Sequence, residues 1–273
     1  MTTTQSRSES PAESSPHTHA GPAVEGASAP RPARGVQSVK FSFFKLPAEA
    51  RRLPSTERSA LGAELGGLLG ASRERMLTRI YTTAGTRGDT DLLVWQVHDD
   101  LAVITDWHAE LDRSRMGAWL ERPHSYLSMT MRSQYTNVEH EGAERRERLR
   151  SDGGTNEYLF VYPMAKTKAW YRLPQEERQR MMNEHIAIGH KYHGIKINTT
   201  YSYGLDDQEF VVAFEGDDPG EFLALVRELR GTDSTQYTLF DTPMFTCRRI
   251  EVEELAVHLG LGEGLSQPGS TQG

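Results

Sequence analysis

The chain presents one pattern twice, and that repetition constrains its fold more than any other feature. Arg52-Leu-Pro-Ser-Thr-Glu-Arg58 returns 120 residues later as Arg172-Leu-Pro-Gln-Glu-Glu-Arg178. In both copies a strand-like run precedes it: Lys40-Phe-Ser-Phe-Phe-Lys-Leu46 and Tyr158-Leu-Phe-Val-Tyr162. A helical segment follows, Ser59 to Leu65 in one copy and Gln179 to His185 in the other. Proline in the first turn followed by acids is a helix-start signal in both. The match then continues through a hairpin (Ile80–Gly85 with Leu92–Trp95; Thr199–Gly204 with Phe210–Phe214). It ends with a helix (Leu101–Leu111; Pro219–Leu229) and a last strand (Tyr126–Met131; Met244–Arg248). Each unit therefore reads β-α-β-β-α-β, a ferredoxin-like unit. The predicted fold is α+β, with two such units forming within one chain the barrel that other proteins build as a dimer. A period this long excludes a solenoid of short repeats.

The repeat divides the 273 residues into an N-terminal half, 38–150, and a C-terminal half, 151–258. Residues 1–37 are rich in Ser, Thr, Ala and Pro and hold no Phe, Trp or Tyr. They read as a disordered tail, because they cannot bury enough apolar area to offset ordering entropy. Residues 259–273 read as a second, short tail. The formal charge of -7 argues against a broad nucleic-acid-binding face. One cysteine, Cys247, excludes an internal disulfide and any multi-cysteine metal site. No apolar run reaches a membrane span and no secretory leader is legible, so the expected location is cytoplasmic.

The halves differ in reactive residues. His185 occupies the place that Leu65 holds in the first copy. It shares a helix face with Met181 and Ile188. An imidazole on an apolar face reads either as a satisfied core histidine, the commoner case, or as the neutral ligand that haem iron needs. Tyr162-Pro-Met-Ala-Lys166, followed by Trp170, gathers a phenol, a thioether, an ammonium and an indole at a strand end. That group reads either as a capped strand end or as a redox site with a cation for a carboxylate. The basic run Arg145–Arg150 reads as a solvated helix face, or as a source of one arginine at a pocket mouth.

Taken in order, Phe-Val-Tyr162-Pro-Met-Ala-Lys166, Trp170-Tyr-Arg-Leu, Glu-Glu-Arg178 and Met181-Met-Asn-Glu-His185 resemble the chlorite dismutase family. Tyr203-Gly-Leu-Asp-Asp-Gln-Glu-Phe210, with Phe214 and Asp217-Asp218, resembles it too. The resemblance covers 158–250 by motif and the first half mainly by its duplicated pattern. Glu184-His-Ile-Ala-Ile-Gly-His-Lys-Tyr192 is similar to the coproheme decarboxylase branch, with His190 where that branch often carries arginine.

The resemblance implies a cytoplasmic homopentamer that oxidatively decarboxylates Fe-coproporphyrin III (coproheme) to haem b. Hydrogen peroxide is the implied oxidant and ferrochelatase a transient partner. It makes His185 the axial iron ligand, Tyr162 the radical that attacks a propionate, and Lys166 the group that binds one. Met164 and Trp170 would line the pocket, Arg148 would contact a propionate, and Asp233 would back the proximal imidazole. Chlorite-splitting members carry an arginine thirteen residues after that histidine; here the position is Asn198, expected on the distal side. The alternatives are a chlorite-decomposing enzyme, a non-catalytic haem-binding protein and a haem-free barrel.

Overall fold

Alternation sets the architecture. In β1 (Ser38–Lys45), Val39, Phe41 and Phe43 point one way, into one apolar cluster, while Phe44 joins another. Residues two apart share a face of a strand, so one strand serves two cores. The computed structural model describes residues 36–135, 149 and 156–262. Most of both expected tails, and Arg148 with the rest of the basic run except Leu149, lie outside the described residues.

After β1 come α1 (Ala48–Arg51), α2 (Ser55–Arg75), β2 (Leu77–Thr82), β3 (Leu92–His98), α3 (Leu101–Arg113) and β4 (Glu121–Met129). The second half begins with β5 (Tyr158–Lys166), α4 (Lys168–Arg172), α5 (Gln175–Gly189), β6 (Lys196–Tyr201) and β7 (Phe210–Gly216). It ends with α6 (Pro219–Leu229), a 3-10 turn (Asp233–Tyr237), β8 (Thr238–Phe240), β9 (Phe245–Arg249) and α7 (Leu255–His258). All pairings are antiparallel. The strands run β7-β6-β4-β1-β3-β2-β9-β5-β8, and β5 also pairs with β7, so the ladder closes on itself. The first half orders its strands β4-β1-β3-β2 and the second β6-β7-β5-β9.

The helix starts follow local chemistry. Pro54 and Pro174 stand at the N-caps of α2 and α5, one residue before the expected first turn. Glu57, and Glu176 with Glu177, place negative charge at those N-termini, where the helix dipole favours it. Asp100 and Asp218 cap α3 and α6 by accepting from Ala102 N at 2.9 Å and Gly220 N at 2.7 Å. The stretch after Lys166 is the helical turn α4.

Three apolar layers result. The barrel interior takes residues from both halves, among them Phe41, Trp95, Tyr81, Leu159 and Val161, and it also encloses Cys247. Burial raises the Cys247 thiol pKa, which makes it unreactive. The outer face of the first half is covered by α2 and α3 through Leu65, Leu69, Trp107 and Leu111. The outer face of the second half carries Phe160, Val212, Phe214, Leu225 and Leu229. Among the described residues no helix is long and apolar enough to cross a membrane.

One ion pair crosses the interior between the halves. Arg79 Nη1 of β2 lies 2.7 Å from Glu215 Oε2 of β7, and their side chains are only 7% and 2% exposed. The Arg79 guanidinium also sits 5.0 Å from the Trp95 ring centroid. Removing Glu215 takes the carboxylate counter-ion from the buried Arg79 guanidinium. Glu215→Ala is expected to cost about 3–5 kcal/mol, read as a lower urea midpoint with an unchanged slope.

Candidate functional site

The outward row of β5 faces α5 and α6. Tyr158, Phe160, Tyr162, Met164 and Lys166 alternate with the inward Leu159, Val161 and Ala165. Across the ladder Tyr162 stands opposite Val212 and Met164 opposite Phe210. The Tyr162 ring stacks on Phe214 with centroids 6.0 Å apart. Burial pushes the Tyr162 phenol pKa up; Asp241 adds to this and Arg230 opposes it. Those two side chains form an ion pair with each other. The phenol is therefore protonated at any ordinary pH.

Lys166 ends the row. Its Nζ donates to Ser234 O at 2.8 Å and to Thr238 Oγ1 at 3.3 Å, and lies 5.1 Å from the Trp170 ring. Burial lowers its pKa to about 8, against the pull of Asp241 and Glu209. It thus remains largely charged at neutral pH while poorly hydrated, which strengthens any pairing with a carboxylate. Trp170 is buried on α4, against Tyr237 at 5.6 Å and Tyr135 at 6.3 Å.

His185 comes from α5. Burial, then the Lys166 charge, lowers its pKa to about 4, so the imidazole is neutral under physiological conditions. Its Nδ1 is 3.3 Å from Ser234 Oγ, and no described residue hydrogen-bonds Nε2. Ser234 therefore touches both His185 and Lys166. α5 itself is lightly packed. Met181 is its only buried residue, whereas α2 buries Leu61, Leu65 and Leu69 among others. Ile188, on the His185 face, is only partly buried. Among the described residues no group of three or more His, Cys, Asp or Glu is placed to hold a metal ion. The arrangement can offer one neutral nitrogen ligand, a protonated phenol and a desolvated cation.

Two expected site residues stand elsewhere. Asn198 was expected on the distal side of the pocket, but it pairs with Ala213, whose side chain is in the barrel interior. Its Nδ2 donates to Glu215 Oε1 at 2.9 Å, so it belongs to the interior charge network. The counting found the right strand and the wrong face, because one residue of register flips a side chain. Thr199, opposite Val212, is on the pocket side. Asp233 was expected behind the His185 imidazole. Its carboxylate instead holds Arg180 Nη2 at 3.1 Å, and Ser234 takes the place at Nδ1. Ser234 escaped the sequence reading; the signal was the hydroxyl run Thr232, Ser234, Thr235 after α6.

Comparison with known proteins bears on the family and the fold. The family model described as chlorite dismutase matches residues 58–250. Coproheme decarboxylase of Mycolicibacterium smegmatis is 31% identical over 224 residues, spanning 81% of this chain and 95% of that protein. Coproheme decarboxylase of Staphylococcus saprophyticus is 30% identical over 200 residues, spanning 68% and 80%. Among solved structures, a haem-binding protein from Thermus thermophilus superposes with a TM-score of 0.74 at 27% identity, covering 82% of this chain and 95% of its own. The chlorite dismutase of Candidatus Nitrospira defluvii, bound to imidazole, has the same fold, with a TM-score of 0.73 at 22% identity and coverage of 82% and 95%. With the family model spanning well over half its length, this chain belongs to the chlorite dismutase family.

Proposed function

We propose that this protein is a coproheme decarboxylase that uses hydrogen peroxide to convert two propionates of coproheme to vinyl groups, giving haem b. The observation that carries the reading is the lightly packed α5 facing β5, with His185 on one wall and Tyr162 and Lys166 on the other. The names of the two curated relatives support the same substrate. The residues present fit coproheme. An aromatic and thioether wall (Tyr162, Met164, Phe214) suits a flat macrocycle, Lys166 suits a propionate, and neutral His185 suits iron.

Coproheme is the substrate and supplies the redox-active iron. Per propionate the balance is R–CH2CH2–COO⁻ + H2O2 + H⁺ → R–CH=CH2 + CO2 + 2 H2O. His185 Nε2 holds the iron. Lys166 Nζ pairs with a propionate and orients its chain. Tyr162 gives up a proton and an electron together to the peroxide-oxidised substrate, since its raised pKa excludes prior ionisation; the resulting radical takes hydrogen from the propionate β-carbon, and the second electron passes to the same oxidant as CO2 leaves. Met164 and Trp170 line the pocket, and Arg148 contacts a second propionate. No arginine stands anywhere on β6, so the argument against chlorite chemistry does not depend on Asn198.

With this reading go two further proposals. The halves 38–150 and 151–258 are copies of one ferredoxin-like unit, consistent with their matching element orders. The working form is a cytoplasmic homopentamer in transient contact with ferrochelatase.

Purified protein is expected to bind coproheme with a Soret band that His185→Ala abolishes. Peroxide should then shift the porphyrin mass by successive losses of CO2 and two hydrogens. Tyr162→Phe should bind coproheme normally and form no haem b; normal turnover by that variant refutes the radical step. Lys166 adds a pH signature. Its ammonium is present below pH about 8 and lost above it. Coproheme affinity should therefore weaken by up to about tenfold per pH unit above 8, and titrations of Lys166→Met should lack that inflection.

A further inference from the structure

β5 reaches its end with few backbone bonds to hold it. Pro163 has no N–H to give. On the β8 side the register shifts between Ala165 and Lys166. On the β7 side the ladder ends with Met164 opposite Phe210. Two residues on, that register would set Lys166 opposite Gln208, and a regular antiparallel ladder would pair Lys166 N with a backbone carbonyl there. The Lys166 N–H goes elsewhere: it donates to Glu209 Oε2 at 2.8 Å. Glu209 is itself held by its main chain on both sides. Its N donates to Met164 O at 3.1 Å, and its carbonyl accepts from Ser202 N at 2.8 Å. These three bonds each run from a main-chain N–H to an oxygen, so their directions are fixed. The same Oε2 also accepts from the Tyr171 hydroxyl at 2.5 Å.

We infer that Glu209 is a positioning residue for Lys166: its side chain supplies the ladder bond that β5 lacks beyond Phe210, and so fixes the root of the chain that carries the ammonium. The tip is fixed separately, by Ser234 O and Thr238 Oγ1. Through Tyr171 the same carboxylate ties the strand end to α4, which carries Trp170 against Lys166 Nζ. A side chain tethered at root and tip has little freedom left to lose when a carboxylate binds it. Reach decides this role, and charge does not. A carboxamide of the same length keeps an acceptor for Lys166 N. A carboxylate one methylene shorter keeps the charge and falls short of the bond. That Lys166 serves a propionate rests on the proposed function; the tether itself does not.

The tether is read in the full chain without ligand, labelled with 15N-lysine, with the Lys166 amide assigned by its loss in Lys166→Met. That amide should exchange slowly with solvent. Glu209→Ala should speed its exchange by about tenfold or more, and Glu209→Gln should leave it near the parent rate. Unchanged exchange in Glu209→Ala overturns the proposal, as does a Gln variant that exchanges as fast as the Ala one. Glu209→Asp should match Glu209→Ala, and answers the same question if the Ala variant fails to fold; retained protection in the Asp variant overturns the role of reach. Coproheme affinity gives a second readout. Glu209→Ala should weaken it about tenfold in the parent chain and leave it unchanged in a Lys166→Met background. Equal weakening in both backgrounds would show that Glu209 merely supports the fold, and overturns the positioning role. A Lys166→Met protein that binds coproheme as tightly as the parent, with the parent's Lys166 amide still protected through Glu209, would instead refute the propionate reading alone.

Discussion

The structure depends on β5 having two faces with different tasks. Inward, Leu159 and Val161 pack in the barrel interior with residues from both halves. Outward, Tyr162, Met164 and Lys166 face α5 and α6. β5 also closes the ladder, because it pairs with β7, β8 and β9. The same backbone hydrogen bonds that close the barrel therefore set the position of the phenol and the ammonium. A slip of one residue in β5 would empty the site and bury Lys166 in the interior at once. Site geometry and fold stability are in this sense a single constraint.

Desolvation governs the chemistry of the three central groups, and it pushes each toward its neutral form. It is the largest cause of the raised Tyr162 pKa and of the lowered Lys166 and His185 values. The outcomes differ because the starting points differ. A phenol driven upward keeps its proton. An imidazole driven downward loses its charge altogether. An ammonium brought to about 8 still carries charge at neutral pH. One apolar environment thus leaves a neutral imidazole, a protonated phenol and a charged ammonium. The hydroxyl partner of His185 belongs to the same pattern, since a carboxylate there would reintroduce charge where burial removes it.

Much of this was legible in the sequence, and the failures have a common cause. The helices α2 and α5 start where the Pro-acid signals stand, at Pro54 and Pro174. Tyr162, Lys166 and His185 could be singled out because their residue types are unusual for their places. Asn198 failed because counting along a chain fixes a strand more easily than a face; the face follows from pairing with Ala213, a long-range contact. Asp233 failed because a carboxylate looks like the natural partner of an imidazole, yet its side chain finds Arg180, which precedes His185 on the same helix. Ser234 was invisible for the converse reason. A serine in a polar turn ordinarily signals only a turn, and its importance here comes from burial that no local pattern encodes.

The two halves also explain why the first has no equivalent site. At the offset of the repeat, Ser42, Phe44 and Leu46 stand where the second half has Tyr162, Met164 and Lys166. Above them α2 lies down on its sheet, with Leu61, Leu65 and Leu69 buried alongside Trp107 and Leu111. α5 forgoes that packing, keeping Met181 as its one buried residue. An apolar helix face left half-covered loses roughly 25 cal/mol for each Å² not buried, so α5 gains less from packing on its sheet than α2 does. A ligand held between α5 and β5, as the proposed function requires, would add contacts there and stabilise the fold by binding it preferentially. The substitution of His185 for Leu65's counterpart therefore did more than add a nitrogen. On the proposed function, a helix packed down on its own sheet is exchanged for one whose packing a ligand would complete.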